Sequence, residues 1–323
     1  MTFPTELLRL CWFLAGPTAC GKTALSLALA ERLNAEIVAL DSMTLYRGMD
    51  IGTAKASLAE RSQVRHHLID VLDPHDEFSL AEYLVAAEAC CREIVDRGRT
   101  PLFVGGSGLY LRGVLRGVFK GPEADWILRR QLEEQTADEG SESLHRELAR
   151  VDPLAASRLH PNDLRRIIRA IEVFRLTSRP MSEQQNQHPK SLTERTPHVY
   201  WLSPPRDWLY ARINARVEQM FEQGLLAEVQ RLMESPRPLS RTARQALGYK
   251  EIIDRVEAGQ LTLGGSPEAT QRPPRELIQL IQTRTRQFAK RQHTWFRNLE
   301  ECVAINIDGG ETPSELCHRV ASM

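Results

Sequence analysis

Residues 16–23 read Gly16-Pro17-Thr18-Ala19-Cys20-Gly21-Lys22-Thr23, which is the spacing G-x-x-x-x-G-K-[ST]. Glycines at the two ends of that spacing let a backbone wrap a phosphate with its amides pointing inward. Lys22 adds a point charge, and Thr23 adds a hydroxyl suited to Mg²⁺. A chance glycine-rich turn is the alternative reading. The flanking strand and helix patterns weigh against it, but the loop leaves the phosphate compound open. Asp41 follows the apolar run Ile37-Val38-Ala39-Leu40, so it falls at the carboxyl end of a strand, where open α/β sheets bind ligands. A carboxylate there could hold Mg²⁺ or act as a base. It could also cap a turn, a role that Ser42 would share. Gly105-Gly106-Ser107-Gly108 follows the strand-like Leu102-Phe103-Val104. Such glycines permit close approach of a ligand, or they make a structural turn.

Three groups of basic residues come next. Arg165, Arg166 and Arg169 lie on one amphipathic helix, LRRIIRAIEVFRLT (164–177). Arg286, Lys290, His293 and Arg297 form a stripe on a second helix, beside an Ile281, Phe288 and Trp295 stripe read as core. Clustered cations suit a phosphate backbone, although a solvated helix face is the bland alternative. Arg206, Arg212 and Arg216 lie on a third helix, with Arg212 and Arg216 at i, i+4. Arginines so placed can grip diphosphate oxygens bidentately, or merely form a surface salt bridge. His66 and His67 have no partner at ligand spacing and read as structural. Cys90 and Cys91 read as helix core.

The elements that must position these residues alternate. The start of the chain reads as a first strand ending in LCWFLA (10–15), then the glycine loop, then a helix over 24–34. AEIVALD (35–41) is a second strand, and 41–57 is a polar, glycine-containing loop. HHLIDVLDP (66–74) reads as a short strand, 79–97 as a helix, and TPLFVGGSGLY (100–110) as a strand running into glycines. Strand–helix alternation predicts right-handed crossovers and a mainly parallel sheet. From about 120 the sequence is charged and helical. A polar stretch with three prolines (178–197) precedes a returning strand at 198–203. Helices are expected at about 206–233, 241–257 and 275–298. The expected fold class is therefore α/β, a P-loop NTPase-like, mainly parallel sheet core (1–120 and 198–323) with an inserted all-helical domain (121–197).

Composition bounds the rest. The chain has 323 residues, 42% hydrophobic and 26% charged, which excludes a disordered chain, a collagen and a coiled-coil rod. Lys plus Arg and Asp plus Glu are each 42, so no uniform basic character exists, though local patches are allowed. Six cysteines without a C-x-x-C pair argue against a zinc ribbon, a redox motif or a disulfide scaffold. No apolar run reaches the ~18 residues of a membrane span, and the first residues lack a signal-peptide cleavage site. A cytoplasmic protein is expected.

Taken together, GPTACGKT (16–23), DSMTLYRGMDIGTAK (41–55), HHLID (66–70), GGSGLYLRG (105–113), RRIIRAIEV (165–173), LGYKE (247–251) and TRTRQFAKRQHTWFR (283–297) resemble, in order, the blocks of the tRNA dimethylallyltransferases, also called tRNA isopentenyltransferases. The resemblance covers nearly the whole chain. It implies transfer of a dimethylallyl group from dimethylallyl diphosphate to N6 of the adenine immediately 3′ of the anticodon. It implies a P-loop core, a helical insertion that grips the tRNA anticodon stem-loop, Mg²⁺ as cofactor and a monomeric enzyme. Asp41 is then the general base. Gly16, Thr18, Ala19, Cys20, Gly21, Lys22 and Thr23 hold the diphosphate, Thr23 stands near Mg²⁺, and Arg216 assists the leaving group. The positions matching tRNA contacts are Asp41, Ser42, Met43, Thr44, Ser107, Arg129, Arg165, Arg166, Ile167, Ile168, Arg169, Gln245, Gly248 and Lys250. Ser107 stands where threonine is common, which keeps a hydroxyl. The zinc finger of the eukaryotic relatives has no counterpart, so the resemblance is to the bacterial type. Three rival readings share the P-loop. A small-molecule kinase leaves the insertion and basic helices without a role. A nucleotide-switched RNA-binding module does not need Asp41, and an adenylate isopentenyltransferase does not need the insertion.

Overall fold

The computed structural model describes residues 1–185, 187–191, 193–264 and 273–323. They divide into two compact units. One comprises 3–115 and 189–323, and the other comprises 1–2 and 116–188. The second unit begins a few residues before the expected insertion and ends before the strand-leading polar stretch does. Positions 186 and 192 of that stretch lie outside the described residues.

The larger unit is built on six parallel strands in the order β3-β2-β4-β1-β5-β6. Helix α1 (Thr5–Arg9) precedes β1 (Trp12–Ala15), so the opening stretch is not a strand throughout. The helix α2 (Lys22–Arg32) leads to β2 (Ala35–Leu40), whose six residues are all buried, as a central parallel strand covered on both faces requires. Short α3 (Leu58–Gln63) and long α4 (Leu80–Asp96) each open with a serine capping box, Ser57 with Glu60 and Ser79 with Glu82. Between them β3 is only His66–His67. The longer strand expected over 66–74 stops because Leu68 and Asp70 take positive φ (58° and 57°). The chain there turns to pair with the 44–47 loop instead, through a Tyr46–Leu72 bridge. β4 (Thr100–Gly105) and α5 (Gly108–Arg116) complete the first half.

The returning strand β5 (Val199–Ser203) pairs with β1, so β1 lies between β4 and β5 in the middle of the sheet. The smaller unit holds α6 (Trp126–Glu139), α7 (Ser141–Val151), α8 (Pro153–Ala156), α9 (Leu164–Thr177) and α10 (Met181–Gln184). After β5 come α11 (Arg206–Glu222) and α12 (Leu225–Met233). Gly224 at φ 97° separates them where one helix was expected. In the same way α13 (Arg241–Arg244) and α14 (Tyr249–Glu257) are parted by Gly248 at φ 87°. The helix α15 (Arg275–Arg297) runs unbroken, and β6 (Val303–Asn306) and α16 (Pro313–Ala321) end the unit. The strand β6 was not among the expected strands: its apolar run, Cys302 to Ile305, is short, and as an edge strand it buries only Ile305.

Several apolar clusters hold the described residues of this unit. Leu14, Leu25, Leu29, Leu102, Tyr200, Leu202, Ile213 and Val320 pack around the sheet. Tyr46, Met49, Val229, Tyr249, Ile252, Leu277 and Ile281 clasp the 43–51 loop against α12, α14 and α15. His67 donates through Nε2 at 2.7 Å to the buried Glu36 carboxylate, which Arg97 also grips, in keeping with a structural role. Cys91 is buried on α4 and Cys90 is half-buried. The smaller unit has its own core of Leu132, Leu144, Leu148, Ile167, Ile168 and Ile171. No helix among the described residues is long and apolar enough to cross a membrane.

Candidate active site

The register of the sheet assembles the site. Ala15 of β1 and Leu40 of β2 both stand opposite Gly105 of β4. The next residues of three adjacent strands are therefore Gly16, Asp41 and Gly106, at one level of the carboxyl edge. A cavity of about 720 Å³ opens there. Its walls include Thr18 to Thr23, Asp41 to Thr44, Gly105 to Leu109, Arg212, Arg216, Gln245 and Gly248.

The phosphate loop is left-handed at two places, Ala19 at φ 65° and Gly21 at φ 95°. The glycine takes that conformation freely, whereas at Ala19 it costs ~1–2 kcal/mol. Lys22 begins α2 and folds back to donate to the carbonyls of Gly16 (2.9 Å) and Pro17 (2.8 Å). Burial pulls the Lys22 pKa below its ordinary value, and Arg216 adds to that pull while Asp41 opposes it. Asp41 accepts from the Met43 amide at 2.8 Å through Oδ1, an Asx-type turn. Burial nevertheless raises the Asp41 pKa, outweighing the Met43 and Thr44 amides and the Lys22 charge that lower it. The turn-capping and the catalytic readings of Asp41 are thus compatible, since one oxygen makes the turn.

Arg212 donates through Nε to the Ala19 carbonyl (2.9 Å) and lies over the Trp208 ring. The surface salt bridge considered for it is replaced by a brace on the phosphate loop. Arg216, one turn on, lines the cavity. Burial first, and the Arg212 charge second, lower its pKa from the usual guanidinium value. Stacking cations at a loop of inward amides makes the place ready for an anion of high charge.

Glu228 holds the wall opposite. It is buried and accepts from the amides of Asp50 (3.0 Å), Ile51 (3.0 Å) and Gly52 (3.2 Å) and from the Tyr249 hydroxyl. Its carboxylate pins the loop that carries Ser42, Met43 and Thr44 to α12 and α14. The stripe of α15 read as core also needs correction. The buried positions are Leu277, Ile281, Ala289, Gln292 and Phe296, whereas Phe288 and Trp295 face the cavity with Arg291. Gln292 and Glu228 were not singled out in the sequence. Their signal is a polar residue in the apolar stripe of an amphipathic helix, which was there to be read.

The remaining sequence candidates are scattered. Gln245, Gly248 and Ser107 line the cavity, and Lys250 is paired with Asp254 at 2.5 Å. In the smaller unit Arg165 and Arg166 are exposed. Arg169, half-buried one turn further on, is committed within this unit, donating to Glu172 at 2.5 Å and to the Pro122 carbonyl at 2.9 Å. Arg129 grips the same carboxylate bidentately at 2.8 Å through each nitrogen. Burial alone would push Glu172 up, but Arg129 and Arg169 hold its pKa below the ordinary carboxylate value. Ile167 and Ile168 are 0% and 5% exposed in the core of this unit, so their side chains are closed to any partner.

A parallel sheet with a P-loop, a strand-end carboxylate and a two-arginine clamp defines a phosphate-handling α/β protein. The particular lineage follows from comparison with known proteins. The family model described as IPP transferase matches residues 44–299, and that described as isopentenyl transferase matches 9–75. The tRNA dimethylallyltransferase of Rhodopirellula baltica is 42% identical over 318 residues, covering 96% of this chain and 92% of the relative. That of Geobacter metallireducens is 45% identical over 294 residues, covering 91% of each. The crystal structure of a tRNA isopentenylpyrophosphate transferase from Bacillus halodurans superposes with a TM-score of 0.65 at 38% identity, covering 96% and 95% of the two chains. A eukaryotic dimethylallyltransferase acting on tRNA superposes at 0.70 and 26% identity, covering 92% of this chain and 73% of that one. The chain belongs to the IPP transferase family.

Proposed function

We propose that this protein transfers a dimethylallyl group from dimethylallyl diphosphate to N6 of the adenine immediately 3′ of the anticodon in tRNA. The observation that carries the reading is the single cavity into which three neighbouring strand ends deliver the phosphate loop, Asp41 and the Gly106–Ser107 turn. The chemistry needs those parts. N6 forms a bond to the allylic carbon, the carbon–oxygen bond to diphosphate breaks, and an N6 proton must leave. The loop amides, Lys22 and Arg216 take up the charge growing on diphosphate, which is where preorganised donors lower a barrier most. Asp41 accepts the N6 proton. A free aspartate, with pKa ~3.9, is a feeble base toward a neutral amine. The raised pKa of Asp41 improves it, and alkylation makes the N6 proton acidic, so transfer late in the step suffices.

The residues fit Mg²⁺ as a companion of the substrate. Among the described residues no group of three or more His, Cys, Asp or Glu side chains could hold a metal. The Thr23 hydroxyl, diphosphate oxygens and water suit an octahedral, oxygen-seeking ion. Bound there, Mg²⁺ would neutralise charge on the leaving diphosphate. For the RNA, Ser42, Met43, Thr44, Ser107, Gln245 and Gly248 are proposed at the cavity, with the target base turned out of its stack to reach Asp41. Exposed Arg165 and Arg166 are proposed as phosphate contacts. Since tRNA is the partner, the cytoplasm is the proposed compartment.

The test mixes the protein with Mg²⁺, labelled dimethylallyl diphosphate and unmodified tRNA, beside a parallel reaction with ATP. Label on the anticodon-loop adenine is the expected result. Turnover of ATP on a small molecule with no label on RNA would overturn the proposal in favour of a kinase, and transfer to free adenylate alone in favour of an adenylate isopentenyltransferase.

A further inference from the structure

Gln292 sits on the buried stripe of α15 and is only 4% exposed, and both polar atoms of its carboxamide are bonded. The Thr18 amide donates to its Oε1 at 2.9 Å, and its Nε2 donates to the Gly106 carbonyl at 2.9 Å. These two turns leave adjacent strands. Pairing of β1 with β4 ends at Ala15 and Gly105, and beyond that point the carboxamide links the diverging backbones. The fit is tight, since a Cβ on Gly106 would come within 2.2 Å of Nε2. The bond also occupies the Thr18 amide and leaves the later amides of the loop to meet an anion. The same helix reaches the arginine clamp, because Arg286 donates to the Asn214 side chain on α11 at 2.6 Å, between Arg212 and Arg216.

We propose that Gln292 is a positioning residue: it sets the distance between the phosphate loop and the Gly106–Ser107 turn at which a diphosphate is gripped. The name of the full substrate rests on the function proposed above, whereas the diphosphate grip does not. Replacing the carboxamide by an apolar group of similar length leaves the buried Gly106 carbonyl and the half-buried Thr18 amide without their partner. Glutamate is the informative variant. Ionised, it has no proton for the Gly106 carbonyl. As a carboxylic acid it reproduces both bonds, its O–H donating to Gly106 and its C=O accepting from Thr18.

The experiment uses the full chain and two readouts. Binding of inorganic diphosphate with Mg²⁺ is measured by calorimetry, and transfer is measured at varied allyl diphosphate and tRNA. For Gln292→Met, diphosphate binding should weaken and the KM for allyl diphosphate rise, each about tenfold as for one unmet buried hydrogen bond. For Gln292→Glu, binding and transfer relative to wild type should climb as pH falls from about 8 to about 6, because burial favours the protonated acid. Unchanged diphosphate affinity in the first variant, or a ratio flat with pH in the second, would overturn the inference. A wild type that binds diphosphate but transfers nothing to RNA counts against the proposed function alone. Normal transfer by both variants counts against Gln292 alone.

Discussion

Asp41 shows how a common residue acquires a special role. One oxygen is spent on the Met43 amide, and burial lifts the pKa of the group above its usual 3.8. Asp41→Ala should therefore abolish transfer, with a loss of at least ~10²–10⁴ in single-turnover rate, while tRNA binding by filter assay stays near normal. Equal loss of both would remove it as the base. Since the base must be ionised, transfer should fall on acidification with a midpoint above that of an ordinary aspartate. A pH–rate profile at saturating tRNA reads this directly. The placement of Lys22, Thr23 and Asp41 at one cavity was legible, because a loop spacing and a strand end fix where they stand. Gln292 and Glu228 stand out in the sequence only as polar breaks in an apolar helical stripe, because what a buried amide or carboxylate does depends on the backbone groups that another part of the chain brings to it. The pairing of Arg129 and Arg169 was equally hidden, since a single glutamate, Glu172, binds both.

The helix α9 carries that lesson to the element. Its inner face holds Ile167, Ile168 and Glu172, and its outer face holds Arg165 and Arg166. Truncating the outer pair, Arg165→Ala with Arg166→Ala, should lower the salt dependence of tRNA binding by up to ~2 in the log–log slope. An unchanged slope would mean both arginines face only solvent. Glu172→Ala is expected to act on stability instead. Removing one member of a fully buried ion pair costs ~3–5 kcal/mol. Here the arginines are 22% and 30% exposed and can be hydrated, so about 2–3 kcal/mol is expected for this helical unit. The pH sign follows from the lowered Glu172 pKa. Its contribution is complete above the unfolded value of ~4.3 and is lost as pH falls through the lower folded value. Hydrogen exchange in α6 and α9 at falling pH should show this loss in the wild type and not in Glu172→Gln. Where elements were misjudged, one backbone feature did it: Gly224 and Gly248 cut helices whose apolar period runs on, and two left-handed residues ended β3 early.

At the scale of the molecule, two units with separate cores should answer a ligand separately. Inorganic diphosphate with Mg²⁺ at ~100 times its Kd should add about 2.7 kcal/mol to the α/β unit. Hydrogen exchange should show the protection around 16–23 and 105–107, and equal gains in α6 to α9 would contradict it. The alternation of strands and helices was plain in the sequence, since each central strand is a continuous apolar run. The strand order was not, because it depends on where crossovers land. That order has a consequence for how the protein is made. The strand β1, made before any other strand of the sheet, lies between β4 and β5, and its loop is pinned by Gln292. Synthesis at ~5–20 residues per second puts roughly 10–40 s between the end of the first α/β segment and α15. Through that interval the nascent chain carries an open edge on β1 and an unfinished phosphate loop, an invitation to strand pairing that chaperones answer. The ability to hold a diphosphate is thus acquired only once α15 is made, long after the motif itself.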